Sequence, residues 1–364
     1  MTLSPPTVLA ERCRHLGVLT LNRPAALNAL SLEMIRALAA QLLAWRADPD
    51  IGAVLLRGAN RAGKAAAFCA GGDIRYFHAA AQAGYPALED FFTEEYALDH
   101  LIHTYGKPTI VLMDGITMGG GMGLAQGASL RVVTEHARLA MPETNIGLFP
   151  DVGAGWFLSR APGHLGEFLG LSGHVLGAAD ALAVDWADLH VPAANLEALV
   201  QAIADATPAD GIGALSAANR FAEAPGAAPL AAQRALIDRV FALPTLAGIL
   251  QALHAEPGEF AAELVRSLAR RSPLMMAVTL EQIRRARTMT LAEDLRMERA
   301  LVRHCFHLRP GASETVEGIR ALVIDKCLAP RWKPATIAEL DAAQVEAFFV
   351  SPWPAHAHPL RQLA

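Results

Sequence analysis

Two glycine clusters and two acids carry the clearest chemical potential in this chain. The clusters are Gly71-Gly72, inside Cys69-Ala70-Gly71-Gly72-Asp73-Ile74, and Gly119-Gly120-Gly121. The acids, Glu143 and Asp151, stand eight residues apart in the run from Met141 to Gly153. Backbone N–H groups with no side chain in the way can surround a carbonyl oxygen as it gains negative charge. Carboxylates nearby can attack the carbon or take a proton. Acyl chemistry uses both halves of that set.

Each piece alone has a plainer reading. A Gly-Gly pair makes a tight turn, three glycines let a helix pack closely on a sheet, and a lone loop acid is usually solvated. Neither cluster fits G-x-x-x-x-G-K-[ST] or G-x-G-x-x-G, so NTPase and dinucleotide readings are weak. The second cluster gains weight from its place between an apolar strand and a helix through Leu124 and Ala125, where free N–H groups and the positive dipole end gather. The acids gain weight from Pro142, Ile146, Leu148, Phe149, Pro150 and Val152, an apolar setting that raises a carboxyl pKa. Two acids in different surroundings can divide the roles of nucleophile or base and of proton donor or orienter. Their spacing does not assign those roles.

The elements that must position these groups follow from apolar periodicity. Strands are expected at Gly17–Leu21, Ala53–Leu56, Thr109–Met113 and Arg131–Thr134. Ser31 stands where an N-cap belongs, and Met34, Ile35, Leu38, Leu42 and Leu43 form a helical stripe ending near Ala47. A second helix is expected across Tyr85–Tyr105. Strand and helix alternate to about residue 200, the pattern of an α/β core. Beyond Leu196 the pattern is helical and rich in alanine and leucine, broken at Pro208, Pro225, Pro244 and Pro257. Further helices are expected near Pro273–Thr288, Leu291–His307 and Glu314–Ile324. The expected division is a core over 1–200, a helical region over 201–340 and a tail over 341–364.

Composition excludes several function classes. Of 364 residues, 53% are hydrophobic and 18% charged, enough to build a sizeable core. A net charge of -5 with no dense basic run leaves no footprint for nucleic acid. Cys13, Cys69, Cys305 and Cys327 show no C-x-x-C spacing, which favours reduced thiols. Met1–Gly17 lacks an apolar signal core, and no long apolar run predicts a membrane span. Only four of the 31 basic residues are lysine, a bias expected of a GC-rich bacterial genome. A bacterial cytoplasmic protein is the expectation.

Other clusters read more plainly. His100-x-x-His103 and His304-x-x-His307 suit one helix face, but no further ligand stands at matching spacing, so packing or surface histidines are expected. No G-x-S-x-G elbow occurs. Cys69 reads as a small buried apolar residue. Arg320, Lys326, Arg331 and Lys333 are a basic group that suits nucleotide phosphates or a solvated helix end equally.

The stretches Ala67-Phe68-Cys69-Ala70-Gly71-Gly72-Asp73-Ile74-Arg75 and Gly115-Ile116-Thr117-Met118-Gly119-Gly120-Gly121 resemble the crotonase (enoyl-CoA hydratase/isomerase) superfamily. Within it, Pro142-Glu143-Thr144, with Ile146-Gly147-Leu148-Phe149-Pro150-Asp151-Val152-Gly153, is similar to the 3-hydroxyisobutyryl-CoA hydrolase branch. Glu317–Leu322 and Pro330-Arg331-Trp332-Lys333-Pro334 resemble that branch's C-terminal signature. The resemblance runs from about Gly17 to about Leu340.

It implies a crotonase-like spiral of ββα turns with a helical C-terminal region. It further implies an oxyanion hole from the N–H groups of Gly72 and Gly120, and catalytic roles for Glu143 and Asp151. Glu95 would contact substrate, and CoA would lie against Ala70, Asp73 and Ile74. Hydratases of the superfamily carry a second glutamate shortly after the triple glycine; here Gly123 stands there, which favours hydrolysis. Gln126-Gly127-Ala128-Ser129 is less typical of the branch. The implied activity is hydrolysis of a short 3-hydroxyacyl-CoA, foremost 3-hydroxyisobutyryl-CoA in valine breakdown. The alternatives are an isomerase or hydratase of the same superfamily, or a non-catalytic assembly subunit. The expected partner is an acyl-CoA substrate, with no metal or redox cofactor, no nucleic acid and no membrane. Superfamily members often form trimers or pairs of trimers, so a homo-oligomer is one expectation; the longer C-terminus leaves the oligomeric state open.

Overall fold

The computed structural model describes residues 5–60, 66–208, 211, 213–309 and 311–364. Met1–Ser4 of the N-terminal reading lie outside them. The described chain forms two compact units that interleave along the sequence. The first comprises Met1–Gly72, Ala97–Ala140 and Val175–Ala231; the second comprises Asp73–Tyr96, Met141–His174 and Ala232–Ala364. The boundaries drawn near 200 and 340 follow chain order, whereas compactness does not.

The first unit holds two sheets. One has the order β1 (Val8–Cys13), β2 (Leu16–Leu21), β3 (Ala53–Gly58), β5 (Thr109–Met113), β7 (Leu130–Val133) and β9 (Leu189–His190). The other has β4 (Ala67–Cys69), β6 (Ile116–Met118) and β8 (Arg138–Ala140). Among the described strands, β1 and β2 pair antiparallel and the other strand pairings are parallel. The chain therefore gives one strand to each sheet and then a helix, three times over: β3 and β4, β5 and β6, β7 and β8. That repeat is the expected spiral of ββα turns.

Parallel strands buried on both faces read as unbroken apolar runs, which is why β2, β3 and β5 were legible. Each is buried for most or all of its length. β1 was not expected, because Glu11 and Arg12 interrupt its pattern at the exposed edge. Leu16, Val18, Leu55, Ile110, Leu112 and Val132 pack in one core with Leu199 and Ile203 of the Leu196–Ala206 helix. Ser31 Oγ accepts from Met34 N at 3.3 Å and caps the Leu32–Ala47 helix. Leu43, expected in its apolar stripe, is 46% exposed; Trp45 takes the buried place instead. At about 100° per residue, Met34, Ile35, Leu38, Leu42 and Trp45 share an arc of about 100°, and Leu43 falls about 80° beyond it.

In the second unit an aromatic cluster ties the Ile74–Ala83 helix and the start of the Ala87–His103 helix to the Leu291–Phe306 helix. Phe77 and Phe91 rings lie 4.7 Å apart, and Phe92 and Phe306 lie 5.4 Å apart. The helices expected near 273 and 291 run over Pro273–Ala286 and Leu291–Phe306. The segment read as a tail contains the Ala342–Phe348 helix and buries Phe348, His358 and Leu360. Among the described residues no helix is long and apolar enough to cross a membrane.

Candidate active site

The two glycine clusters meet within the first unit. Gly71 has φ +98°, a conformation open to glycine, and a Cβ there would lie 3.1 Å from Met118 O and 3.5 Å from Gly120 N. Gly121 packs still closer, since its Cβ would fall 2.3 Å from Cys69 O. The backbones after β4 and after β6 thus touch with no side chain between them. Leu30 N donates to Gly71 O at 2.8 Å and fixes the first turn from its other side. Gly120 opens the Gly120–Gln126 helix, where first-turn N–H groups have no intrahelical acceptor. No backbone acceptor among the described residues takes the N–H of Gly72 or Gly120. Cys69 is fully buried against this junction, the packing role expected of it. Ala70 N donates to Leu27 O at 3.0 Å. Gly123 is buried in the same short helix.

The acids meet within the second unit. Glu143 begins the Glu143–Ile146 turn and is 6% exposed, and its Oε2 has no hydrogen-bond partner among the described residues. Burial, then the negative charge of Asp151, push its pKa well above the usual carboxylate range. Arg271, buried beside it, opposes that rise and donates to Thr144 Oγ1 at 2.8 Å. Asp151 is 5% exposed and accepts from the Tyr96 hydroxyl at 2.8 Å. Burial raises the Asp151 pKa to about 6, while the Tyr96 hydrogen bond pulls the other way. Burial, then the charge of Asp151, push the Tyr96 phenol pKa up, and the buried Glu95 next to it in sequence adds a smaller push. Asp73 caps the Ile74–Ala83 helix, accepting from Tyr76 N at 3.4 Å, with Ile74 half-buried.

The loop carrying Asp151 is clamped by residues that the sequence reading missed. Val152 and Gly153 have φ of 61° and 83°, so the chain turns through two left-handed positions just after the acid. A β-branched residue there is strained and needs its surroundings to hold it. Gln282 Nε2 donates to Pro150 O at 2.7 Å and to Glu298 Oε1 at 2.9 Å. Glu298 accepts from Gly153 N at 2.7 Å and Gly155 N at 3.0 Å, and Asp294 accepts from Trp156 N at 2.7 Å. These acceptors satisfy the open N–H groups of the Ala154–Leu158 helix. All three side chains are fully buried. Burial raises Asp294 to about 7 and Glu298 well above its usual range. The available signal was a pair of acids at i and i+4, in phase with Leu295 and Leu301 on an otherwise core-facing stripe.

The C-terminal motif residues pack directly on the Glu143 turn. A Cβ on Gly318 would lie 2.2 Å from Ile146 O, so only glycine permits that approach. Thr315 Oγ1 donates to Gly147 O at 2.7 Å, and Trp332 Nε1 donates to Arg270 O at 3.1 Å. Arg320 is held by Glu317 and Asp325, and Arg331 lies 3.6 Å from Glu317. Those two of the basic group are engaged with carboxylates. His304 meets the Val350 carbonyl at 2.9 Å, while His307 lies 2.8 Å from Glu89. The His304 and His307 side chains thus go to different partners.

Comparison with known proteins adds a scale to these local likenesses. Residues 16–349 match the family model described as enoyl-CoA hydratase/isomerase. The chain is 40% identical to "3-hydroxyisobutyryl-CoA hydrolase, mitochondrial" of Danio rerio, over 94% of this chain and 89% of that protein. It is 35% identical to "Probable 3-hydroxyisobutyryl-CoA hydrolase 3" of Arabidopsis thaliana, over 95% and 92%. Among solved structures, one described as a carnitinyl-CoA dehydratase from Mycobacterium thermoresistibile superposes with a TM-score of 0.88. It is 38% identical and covers 98% of this chain and 99% of its own. An enoyl-CoA hydratase from Rhodobacter sphaeroides gives 0.83 at 37% identity, over 95% and 98%. A match along nearly the whole length includes the helical second half as well as the glycine turns, and the chain belongs to the enoyl-CoA hydratase/isomerase family.

Proposed function

We propose that this protein hydrolyses a short 3-hydroxyacyl-CoA thioester, foremost 3-hydroxyisobutyryl-CoA, to the free hydroxy acid and CoA. The observation that carries this reading is the buried Glu143 with an open Oε2, next to an Asp151 oriented by Tyr96. The relatives named as 3-hydroxyisobutyryl-CoA hydrolases support the substrate. In the reaction the N–H groups of Gly72 and Gly120 stabilise the thioester oxygen as it becomes an oxyanion, each such donor being worth about 3 kcal/mol. Glu143 Oε2 acts on the carbonyl by one of two routes. It attacks the carbon and expels the thiolate, leaving a mixed anhydride that water cleaves; or it takes a proton from the water that attacks. Both routes consume one water and release one thiol. A proton held by Asp151 near pH 6 serves the substrate hydroxyl or the departing thiolate. Glu95 borders the acyl group, and CoA runs along Ala70, Asp73 and Ile74. A thioester has a good leaving group, so the reaction calls on no metal or redox partner. Self-association and a bacterial cytoplasmic setting belong to the same reading, the latter supported by four free cysteines and the arginine bias.

A second reading, water addition to or loss from an enoyl-CoA, draws on the names of the two solved structures. It asks for a second acid where this chain has Gly123. Product analysis separates the two. Mass spectrometry of the mixture from 3-hydroxyisobutyryl-CoA should show free acid and CoA in equal amounts; an enoyl-CoA product with no free thiol would overturn hydrolysis in favour of dehydration.

A further inference from the structure

The Leu291–Phe306 helix has a second face with its own chemistry. Asp294 and Glu298 clamp the Asp151 loop, whereas Arg296, Met297 and Ala300 line a cavity of about 670 Å³. Cavities of this size suit small organic ligands. Its apolar walls include Met289, Met297, Phe349 and Trp353, and methionines adapt their shape to what they contact. Its polar walls are cationic: Arg285, Arg296 and Arg361 contribute, and none of the described lining side chains is acidic.

The three arginines are not equivalent. Arg285 is paired with Glu281 at 2.7 Å and with Glu346 at 2.8 Å, so its charge is already matched. Arg296 Nη1 donates to the Leu363 carbonyl at 2.9 Å, and Arg361 Nη1 donates to the His358 carbonyl at 3.4 Å. Glu293, three residues before Arg296 on the same helix, feels the Arg296 charge. His358 in the same wall is buried, accepting from Leu360 N at 3.1 Å and meeting the Arg296 carbonyl at 3.1 Å. Burial chiefly lowers its proton affinity, the Arg296 carbonyl opposes that, and the charges of Arg299 and Arg296 lower it further. A guanidinium pair beside an apolar wall is suited to a planar anion attached to a hydrocarbon body.

We propose that this cavity binds an amphiphilic organic carboxylate, its head group at Arg296 and Arg361 and its hydrocarbon body over Met289, Met297, Phe349 and Trp353. The proposal stands apart from the hydrolase reading, because none of these residues belongs to the machinery described above. The test is calorimetric titration of the full chain with octanoate, with 1-octanol as the uncharged control. Saturable binding at one site is expected, weakened about tenfold or more for 1-octanol and for the variants Arg296→Met and Arg361→Glu. Arg361 is exposed, so Arg361→Glu should fold normally even where Arg296→Met does not. Thioester hydrolysis without octanoate should be unchanged in Arg361→Glu. Three results would overturn the proposal: no saturable heat up to millimolar octanoate, equal binding of octanoate and octanol, or octanoate binding that Arg361→Glu leaves intact.

Discussion

Tyr96 donates its phenolic hydrogen to Asp151 at 2.8 Å, and both side chains are almost wholly buried. The bond stabilises the ionised form of Asp151 and so limits how far burial raises its pKa, which stands at about 6. Tyr96→Phe removes that restraint at little cost in volume. A hydrogen bond to a charged group is worth about 1.5–3 kcal/mol, so the Asp151 pKa should rise by about one to two units. The inflection of kcat/KM against pH near 6 should move upward with it; an unmoved profile would remove Asp151 from the titrating machinery.

The same shift makes stability depend on pH. An unfolded aspartate releases its proton near 3.8, whereas folded Asp151 holds it to about 6. Between those values the folded state binds more protons, so stability falls as pH rises through the window and stays lower above it. Asp151→Asn should therefore be more stable than the parent at about pH 8, by at most about 3 kcal/mol, and gain nothing near pH 3. Glu143→Gln should show the same sign, since its carboxyl is raised for the same reason. Thermal unfolding at the two pH values checks both.

Much of the site was legible because it is local in sequence. Glycines mark the turns after β4 and β6, and the apolar neighbours of Glu143 and Asp151 indicated buried acids. What could not be read was the clamp made by Gln282, Asp294 and Glu298, which lies 132 or more residues away from the loop it holds. Helical periodicity shows that a face is buried but not which loop it meets. Leu43 failed for a related reason: a stripe of leucines on an alanine-rich helix does not say which apolar residue closes the face, and Trp45 does so. β1 escaped because an edge strand needs only one partner and tolerates charge. The buried residues of 341–364 were hidden by their spacing between prolines and polar residues.

Gln282 links the Pro150 carbonyl to Glu298, bracketing Asp151 from both sides. Gln282→Ala should lower kcat by about 10- to 100-fold through misplacement of Asp151, with little change in KM. Steady-state kinetics across several substrate concentrations reads the split. Glu298→Ala leaves two backbone donors without acceptors and should cost about 3 kcal/mol of stability, measured by denaturant unfolding.

Gly121 has no room for a methyl group, since its Cβ would meet Cys69 O at 2.3 Å. Gly121→Ala must push the helix start away from β4 and should destabilise the protein by about 1–3 kcal/mol. Residual soluble protein should hydrolyse thioester slowly, because Gly120 moves with its neighbour. Wild-type melting temperature and activity in this variant would contradict the close packing of the two glycine turns.

Release of free CoA thiol from 3-hydroxyisobutyryl-CoA, followed with the wild-type protein and Glu143→Gln side by side, tests the proposed hydrolysis most directly. Turnover by the wild type, reduced by about a thousandfold or more in a folded variant that still binds CoA, is the expected result. No thiol release by the wild type, or near-equal release by Glu143→Gln, would contradict the assignment.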